Sequence, residues 1–377
     1  MAATVSWDAL RDLAGFRAGK GVAVSFYLDL DPSLTPAAGD LATRTNSLLA
    51  DADRHVDRSH LNHDQRKSLA ADLERIRGYI ESELVRDGAH GLAVFTDDLD
   101  NLWRPLTLTE SVPDAVKVNA ELYLTPLVPL VGRGEGALVA VVGRERGELY
   151  RLHGGRLEQL AKLTEHQPRR HDQGGWSQAN YQRHADHLVQ EHLHDVASEL
   201  DRLVRRGNER VVVVSSEDTR AAFGGLLSKS VQSSIVGWTA AEAHAGPPEL
   251  LAAAAPVLEA WRAREEETVV ERWREEAGRN GRAAAGWQPT LEAASDGRVD
   301  LLLYRNGIRH AAFQCPKCGR LAVEDGTCPL DGTRMEETDE GLDVAVHQTL
   351  SNGGKVWAVT TRSDLDPVEG IGALLRY

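Results

Sequence analysis

No apolar run in the 377-residue chain approaches the roughly 18 residues that a membrane-spanning helix needs. The start, Met1-Ala-Ala-Thr-Val-Ser-Trp-Asp, has neither a basic opening nor an apolar core, so nothing suggests secretion and the cytosol is the expected compartment. Cysteine is scarce: three residues, all between Cys315 and Cys328. So few and so local a set excludes a disulfide framework and reads as a metal site. Positive charge is also short, with 43 Lys and Arg against 57 Asp and Glu, a net of −14. This excludes a protein that coats polyanions indiscriminately, so any nucleic-acid contact has to come from local basic patches. P-loop, zincin and Gly-x-Ser-x-Gly motifs are absent, as are internal repeats and low-complexity tails.

What is present fits a multidomain α/β protein. With 42% hydrophobic and 27% charged residues the chain can bury sizeable cores, and its length suggests two or three domains. Segments 21–29 and 91–96 have strand composition, and 61–84 carries a helical stripe of Leu69, Leu73, Ile76, Ile80 and Leu84. An extended stretch over 121–130, broken by Pro126 and Pro129, closes a first domain, 1–131. A second, 132–247, opens with strands at 136–143 and 147–152. It continues through a polar loop from 164 into a long helix with Tyr181, Ala185, Val189, Leu193, Val196, Leu200 and Leu203 on one stripe, stopped at Gly207-Asn208. The unbroken Val211-Val-Val-Val214 run predicts a strand buried on both faces. Gly246-Pro247-Pro248 marks the next boundary. Domain 248–377 then combines a long charged helix with strands at 299–304, 342–346 and 356–360, and a cysteine-bearing insertion over 313–335.

Two patterns carry chemistry. Cys315-Pro-Lys-Cys318-Gly319 is a knuckle, and Cys328-Pro-Leu-Asp331-Gly332 repeats it with Asp in place of the second Cys. Three thiolates and one carboxylate can make a closed, structural tetrahedral zinc site from Cys315, Cys318, Cys328 and Asp331. The alternative is a decayed knuckle that no longer holds metal. The second pattern is Arg169-Arg170-His-Asp-Gln-Gly174-Gly175-Trp176-Ser177-Gln178, which runs straight into the long helix. Paired glycines let a backbone approach another chain closely, and Arg183 lies just beyond. From Arg144 to Arg170 there are seven basic residues against four acidic, a positive region in an acidic chain. The plain alternative is a solvated loop capped by Ser177. His184, His187, Glu191 and His194 share a helical face, which reads as a solvated polar surface and not a chelate. Gly132, Gly134 and Gly136 precede a strand and read as a turn, not a dinucleotide loop.

The loop and following helix, with Ala179-Asn-Tyr-Gln-Arg183, resemble those of the bacterial archaeo-eukaryotic release-factor-like proteins. The Cys-Pro-x-Cys-Gly insertion and the ending Gly370-Ile-Gly-Ala-Leu-Leu-Arg-Tyr377 resemble the same group, which includes Balon-type ribosome hibernation factors. The resemblance is firm from about Gly136 onward and looser before it. It implies three domains, with an RNase-H-like middle and a C-terminal α/β sandwich similar to the kink-turn-binding ribosomal proteins. It implies the ribosome as partner, through ribosomal RNA and peptidyl-tRNA, with a translational GTPase as a candidate second partner. It also implies Gln178 as the glutamine that helps water attack the peptidyl-tRNA ester, Gly174 and Gly175 as the flexible glycines, and RNA contacts by Arg169, Arg170, Trp176, Ser177 and Arg183. Trp176 and Ser177 separate the glycines from the glutamine, a departure from the plain Gly-Gly-Gln triplet. Two functions are therefore expected in order: codon-independent peptidyl-tRNA hydrolysis in ribosome rescue, and non-catalytic hibernation in the A site. The first domain lacks an Asn-Ile-Lys-Ser-like tetrapeptide, which argues against stop-codon reading.

Overall fold

The computed structural model describes residues 5–31, 38–56, 61–86, 88–131, 136–153, 155–164, 178–206 and 210–377. The chain divides into two compact units, one formed by Met1–Gly132 with Glu265–Tyr377 and the other by Arg133–Arg264. The first unit opens with α1 (Trp7–Ala14), β1 (Ala23–Asp29), α2 (Ala38–His55), α3 (His63–Ser82), β2 (Gly91–Asp97), β3 (Leu102–Leu108) and β4 (Ala115–Asn119). The strands make an antiparallel sheet in the order β3-β2-β1-β4. Alternation in β1 sends Val24, Phe26 and Leu28 toward Leu69, Leu73 and Ile76 of α3, the stripe seen in the sequence. Tyr27 and, from β2, Phe95 face the opposite side, where they join α1 and the C-terminal elements in one core.

The second unit holds β5 (Leu138–Val142), β6 (Arg146–His153), β7 (Arg156–Thr164), α4 (Gln178–Arg206), β8 (Val211–Val214), α5 (Glu217–Gly224), α6 (Lys229–Ser234) and β9 (Ile235–Thr239). Its sheet runs β7-β6-β5-β8-β9, antiparallel through β5–β7 and parallel through β5, β8 and β9. Helices cover both faces. Leu138, Ala140, Val211 and Val213 meet Leu193, Val196 and Leu200 of α4, while Val139, Val141, Val212 and Val214 meet Leu250, Ala254 and Leu258 of α7 (Pro247–Gly278). The valine run is thus buried on both faces, as its unbroken apolarity predicts. This layering agrees with the α/β class expected from the sequence.

The first unit resumes within α7 and adds β10 (Ala283–Ala285), α8 (Trp287–Ser295), β11 (Val299–Arg305), β12 (Ala312–Gln314), β13 (Leu321–Ala322), β14 (Glu336–Thr338), α9 (Gly341–Ser351), β15 (Lys355–Val359) and β16 (Ile371–Leu375). The sheet β10-β16-β11-β15 lies between α8 and α9 on one face and Val270 and Trp273 of α7 on the other. A small sheet, β13-β12-β14, carries the cysteines. Two segments depart from expectation. Residues 342–346 are helical, because Leu342, Ala345, Val346 and Leu350 are buried at helical spacing, which a five-residue apolar run does not reveal by itself. Within 121–130 the chain closes into a 3-10 turn, Thr125–Leu130, with the φ of its second residue fixed by Pro126 and with Leu127 and Val128 buried. No helix among the described residues is long and apolar enough to cross a membrane.

Candidate functional site

The cysteine cluster is built from two equivalent turns. In the first, the N–H of Cys315 donates to Arg320 O (2.8 Å) and the N–H of Gly319 returns to Cys315 O (2.8 Å). In the second, Cys328 donates to Thr333 O (2.8 Å) and Gly332 to Cys328 O (2.9 Å), so Asp331 stands where Cys318 stands in the first. Gly319 (φ +77°) and Gly332 (φ +71°) occupy the left-handed conformation that closes each turn, which side chains with a Cβ rarely adopt. The four donor atoms all lie within 4.8 Å of one another. Cys318 and Cys328 sulfurs are 3.4 Å apart, and Cys315 Sγ lies 3.6 Å from Asp331 Oδ2. Tetrahedral bonds of the length zinc makes to sulfur and oxygen separate donors by about 3.6–3.8 Å, so the cluster is the size of a metal coordination sphere.

Electrostatics support the same fit. The Thr333 N–H on Asp331 Oδ1 (2.9 Å) holds that carboxylate down to about 2. Burial opposes ionisation of Cys315, but the amides of Cys318 and Lys317 outweigh it and lower its pKa below the ordinary thiol. The Arg320 amide favours ionisation of Cys318, yet desolvation and the sulfurs of Cys328 and Cys315 push that thiol up to about 11. Negative charge is thus invited at two donors and resisted at a third, a conflict that a divalent cation among them would relieve. The cluster could hold a metal ion. Its anchors come from far along the chain: Gln348 Nε2 of α9 donates to Gly319 O (2.6 Å), Arg320 pairs with Asp296 (2.7 Å), and the Leu321 N–H donates to Ser295 Oγ (2.9 Å). Nothing in the sequence marked these three supports.

The second candidate begins at α4. Its first residue is Gln178, but the loop residues Arg169, Arg170, Gly174, Gly175, Trp176 and Ser177 and the side chains of Gln178 and Arg183 lie outside the described residues, as does the stop at Gly207-Asn208. The helix itself is firmly seated. Leu193, Val196, Ala197, Leu200, Leu203 and Val204 are buried against the sheet, and Gly147 of β6 leaves room for His192 and Val196, since a Cβ there would come within 2.5 Å of Val196 Cγ2. Leu193 lies about 15 residues, or about 22 Å of helix, from Gln178. Of the basic residues noted beside the loop, Arg146 is already engaged: its guanidinium holds the buried Glu148 (2.6 Å) and the carbonyls of Ala243 (2.9 Å) and Ala245 (2.8 Å). Glu148 also accepts from Tyr150 Oη (2.9 Å). On the exposed face of α4, His187 and Glu191 make a 3.5 Å pair and no metal cluster is formed there among the described residues.

Set beside known proteins, the chain is similar to translation release factors. Residues 123–259 match the model of Bacterial archaeo-eukaryotic release factor family 10. The chain is similar to peptide chain release factor subunit 1 of Archaeoglobus fulgidus, 26% identical over 286 residues that span 69% of this chain and 70% of the relative. The same protein of Thermoplasma acidophilum is 24% identical over 296 residues, 69% of this chain and 68% of the relative. Among solved structures, the archaeal translation termination factor aRF1 aligns over 99% of both chains at 18% identity and a TM-score of 0.27. Archaeal Pelota, in a structure with ABCE1 on the ribosome, aligns over 73% of this chain and 72% of its own at 14% identity and a TM-score of 0.41.

Proposed function

We propose that the protein acts on the ribosome as a codon-independent release factor, freeing peptide from tRNA in rescue or quality control. The observation that carries this reading is Gln178 at the head of α4, a helix of 29 residues whose C-terminal half is packed into the sheet of its own unit. A glutamine held that way can orient a water toward the peptidyl-tRNA ester, with a neighbouring backbone N–H meeting the developing oxyanion. Gly174 and Gly175 would let the loop enter a narrow ribosomal RNA site, and Arg169, Arg170 and Arg183 would meet phosphates. The similarity to proteins named peptide chain release factor supports the same reading. A translational GTPase is the candidate delivery partner. Zinc on Cys315, Cys318, Cys328 and Asp331 would be structural, since four protein donors leave no open coordination position.

The spacing Gly174-Gly175-Trp176-Ser177-Gln178 favours a second reading, in which Trp176 stacks on a nucleotide and the loop plugs the A site of an idle ribosome. One experiment separates them. Ribosomes carrying peptidyl-tRNA and no stop codon in the A site should release peptide when the protein is added. Gln178→Ala should lower the release rate by about a hundredfold with little change in binding, because the group acts in the transition state. Tight binding without release by the wild type would overturn hydrolysis in favour of the plug. Trp176→Ala should then weaken binding by about 1–3 kcal/mol.

A further inference from the structure

The cluster's sulfurs are not equivalent. Cys318 is exposed, while Cys315 and Cys328 are buried. One sulfur pair crosses between the two turns, Cys318 to Cys328 at 3.4 Å, and Cys315 Sγ lies 3.6 Å from the Asp331 carboxylate. We propose that Cys318 and Cys328 form an oxidisable dithiol that hydroperoxides close to a disulfide, and that this closure dismantles the four-donor cluster; the second half rests on the zinc reading above.

The route follows from exposure. A hydroperoxide reaches Cys318 first; its sulfur gives up its proton and attacks the peroxide oxygen, giving a sulfenic acid as the O–O bond breaks and the departing oxygen leaves with that proton as water or an alcohol. The Cys328 sulfur, already in van der Waals reach, then attacks Cys318 Sγ and expels the sulfenic oxygen, which takes the Cys328 proton and leaves as water. Two thiols lose two protons and two electrons, and the peroxide takes up both pairs as it is reduced to water or to water and an alcohol. The sulfurs must approach by about 1.4 Å to reach disulfide bonding distance. That movement is small for two short turns whose own closure does not use the sulfurs. Asp331 makes the consequence sharper than in a four-cysteine site. One disulfide here leaves a single thiolate, Cys315, and one carboxylate, too few donors to keep zinc.

The insertion has only a small apolar core of its own. Its own core is Cys315, Cys328 and Met335, with Phe313 and Ala322 partly buried. So small a core depends on a staple, metal or covalent. The turn carrying Cys318 is also tied by the Gly319 carbonyl to Gln348 of α9 and by the Leu321 N–H to Ser295 of α8, so a change in the cluster reaches both helices.

The test uses the full-length chain, purified with whatever metal it carries, treated with hydrogen peroxide, alkylated, and mapped as peptides without reduction. The expected product joins the Cys318 and Cys328 peptides, with metal released to a chromogenic chelator on the same time course. Dithiothreitol with added zinc should reverse both. Cys318→Ser should leave the Cys328 peptide unlinked and slow its oxidation by about tenfold or more, whereas Cys315→Ser, which keeps the pair, should still form the linked product. Linkage of Cys315 to Cys318, or over-oxidation without linkage, would overturn the proposal. A chain that arrives without metal and still links Cys318 to Cys328 would refute the zinc reading and leave the dithiol standing; a metal-loaded chain that never links would do the reverse.

Discussion

Glu266 of α7 offers the sharpest stability prediction. It is 1% exposed, yet ionised: burial alone would raise its pKa, but four donors outweigh that and lower it. Oε2 accepts the N–H and Oγ1–H of Thr360 (both 3.1 Å), and Oε1 accepts the N–H (2.8 Å) and Oγ1–H (2.6 Å) of Thr361. These bonds fasten the end of β15 to the helix. Glu266→Ala removes the acceptor from two backbone N–H groups that cannot turn elsewhere, at about 1.5–3 kcal/mol each for bonds to a charged acceptor. The threonines themselves are exposed, so water can enter and recover part of this, which sets the expected loss at about 2–3 kcal/mol. Glu266→Gln keeps the shape but turns one acceptor into an NH2 facing a backbone N–H, and should cost about 1–2 kcal/mol. The pH sign follows from the depressed pKa. The contribution is complete above the unfolded glutamate range and fades as pH falls through the folded value, so wild type and variants converge in acid. Hydrogen exchange at the Thr360 and Thr361 amides reads the clamp locally, and urea unfolding gives the energy. Unchanged exchange in Glu266→Ala, or a Gln variant as stable as wild type at neutral pH, would refute the reasoning.

Two further outcomes are expected. Burial, with Asp100 and Asp72 nearby, raises Asp97 to about 6, so its protonated form is the one the fold prefers; that contribution is present below the unfolded carboxyl range and lost as pH rises through about 6. Asp97→Asn should therefore become more stable relative to wild type between about pH 5 and about pH 8, and a constant difference in urea midpoints would contradict it. Gly147→Ala would drive a Cβ to 2.5 Å from Val196 Cγ2 and 3.0 Å from the His192 ring. It should destabilise the 133–264 unit by about 1–3 kcal/mol, measured by hydrogen exchange across α4.

How much of this was legible depends on where each signal is stored. The valine run of β8, the stripe of α3 and the stripe of α4 were readable because burial on a regular element writes its own period into the sequence. Segment 342–346 misled because five apolar residues fit a strand as well as a helix, and the deciding burial at Leu350 lies outside that window. β7 escaped notice because it is an edge strand with Glu158 and Lys162 exposed and a bulge opposite Leu149/Tyr150, so its alternation is broken. In the cysteine cluster, the candidate donors were legible since each knuckle packs them into five consecutive residues.

The supports were not legible, for a reason that applies to the whole chain. Gln348, Ser295 and Asp296 hold the cluster through single hydrogen bonds or ion pairs from other elements, and Glu266 holds the end of β15 in the same way. One polar side chain on a helix has no period and no neighbouring partner in sequence, so it looks like any solvated residue until the fold brings its acceptor or donor to it. Local spacing can therefore single out candidate groups, such as Gln178 or Cys318. What keeps a group in place is a property of long-range contacts. That is why Glu266→Ala and Gly147→Ala, at positions with no motif around them, test the structural argument more directly than any change within the motifs.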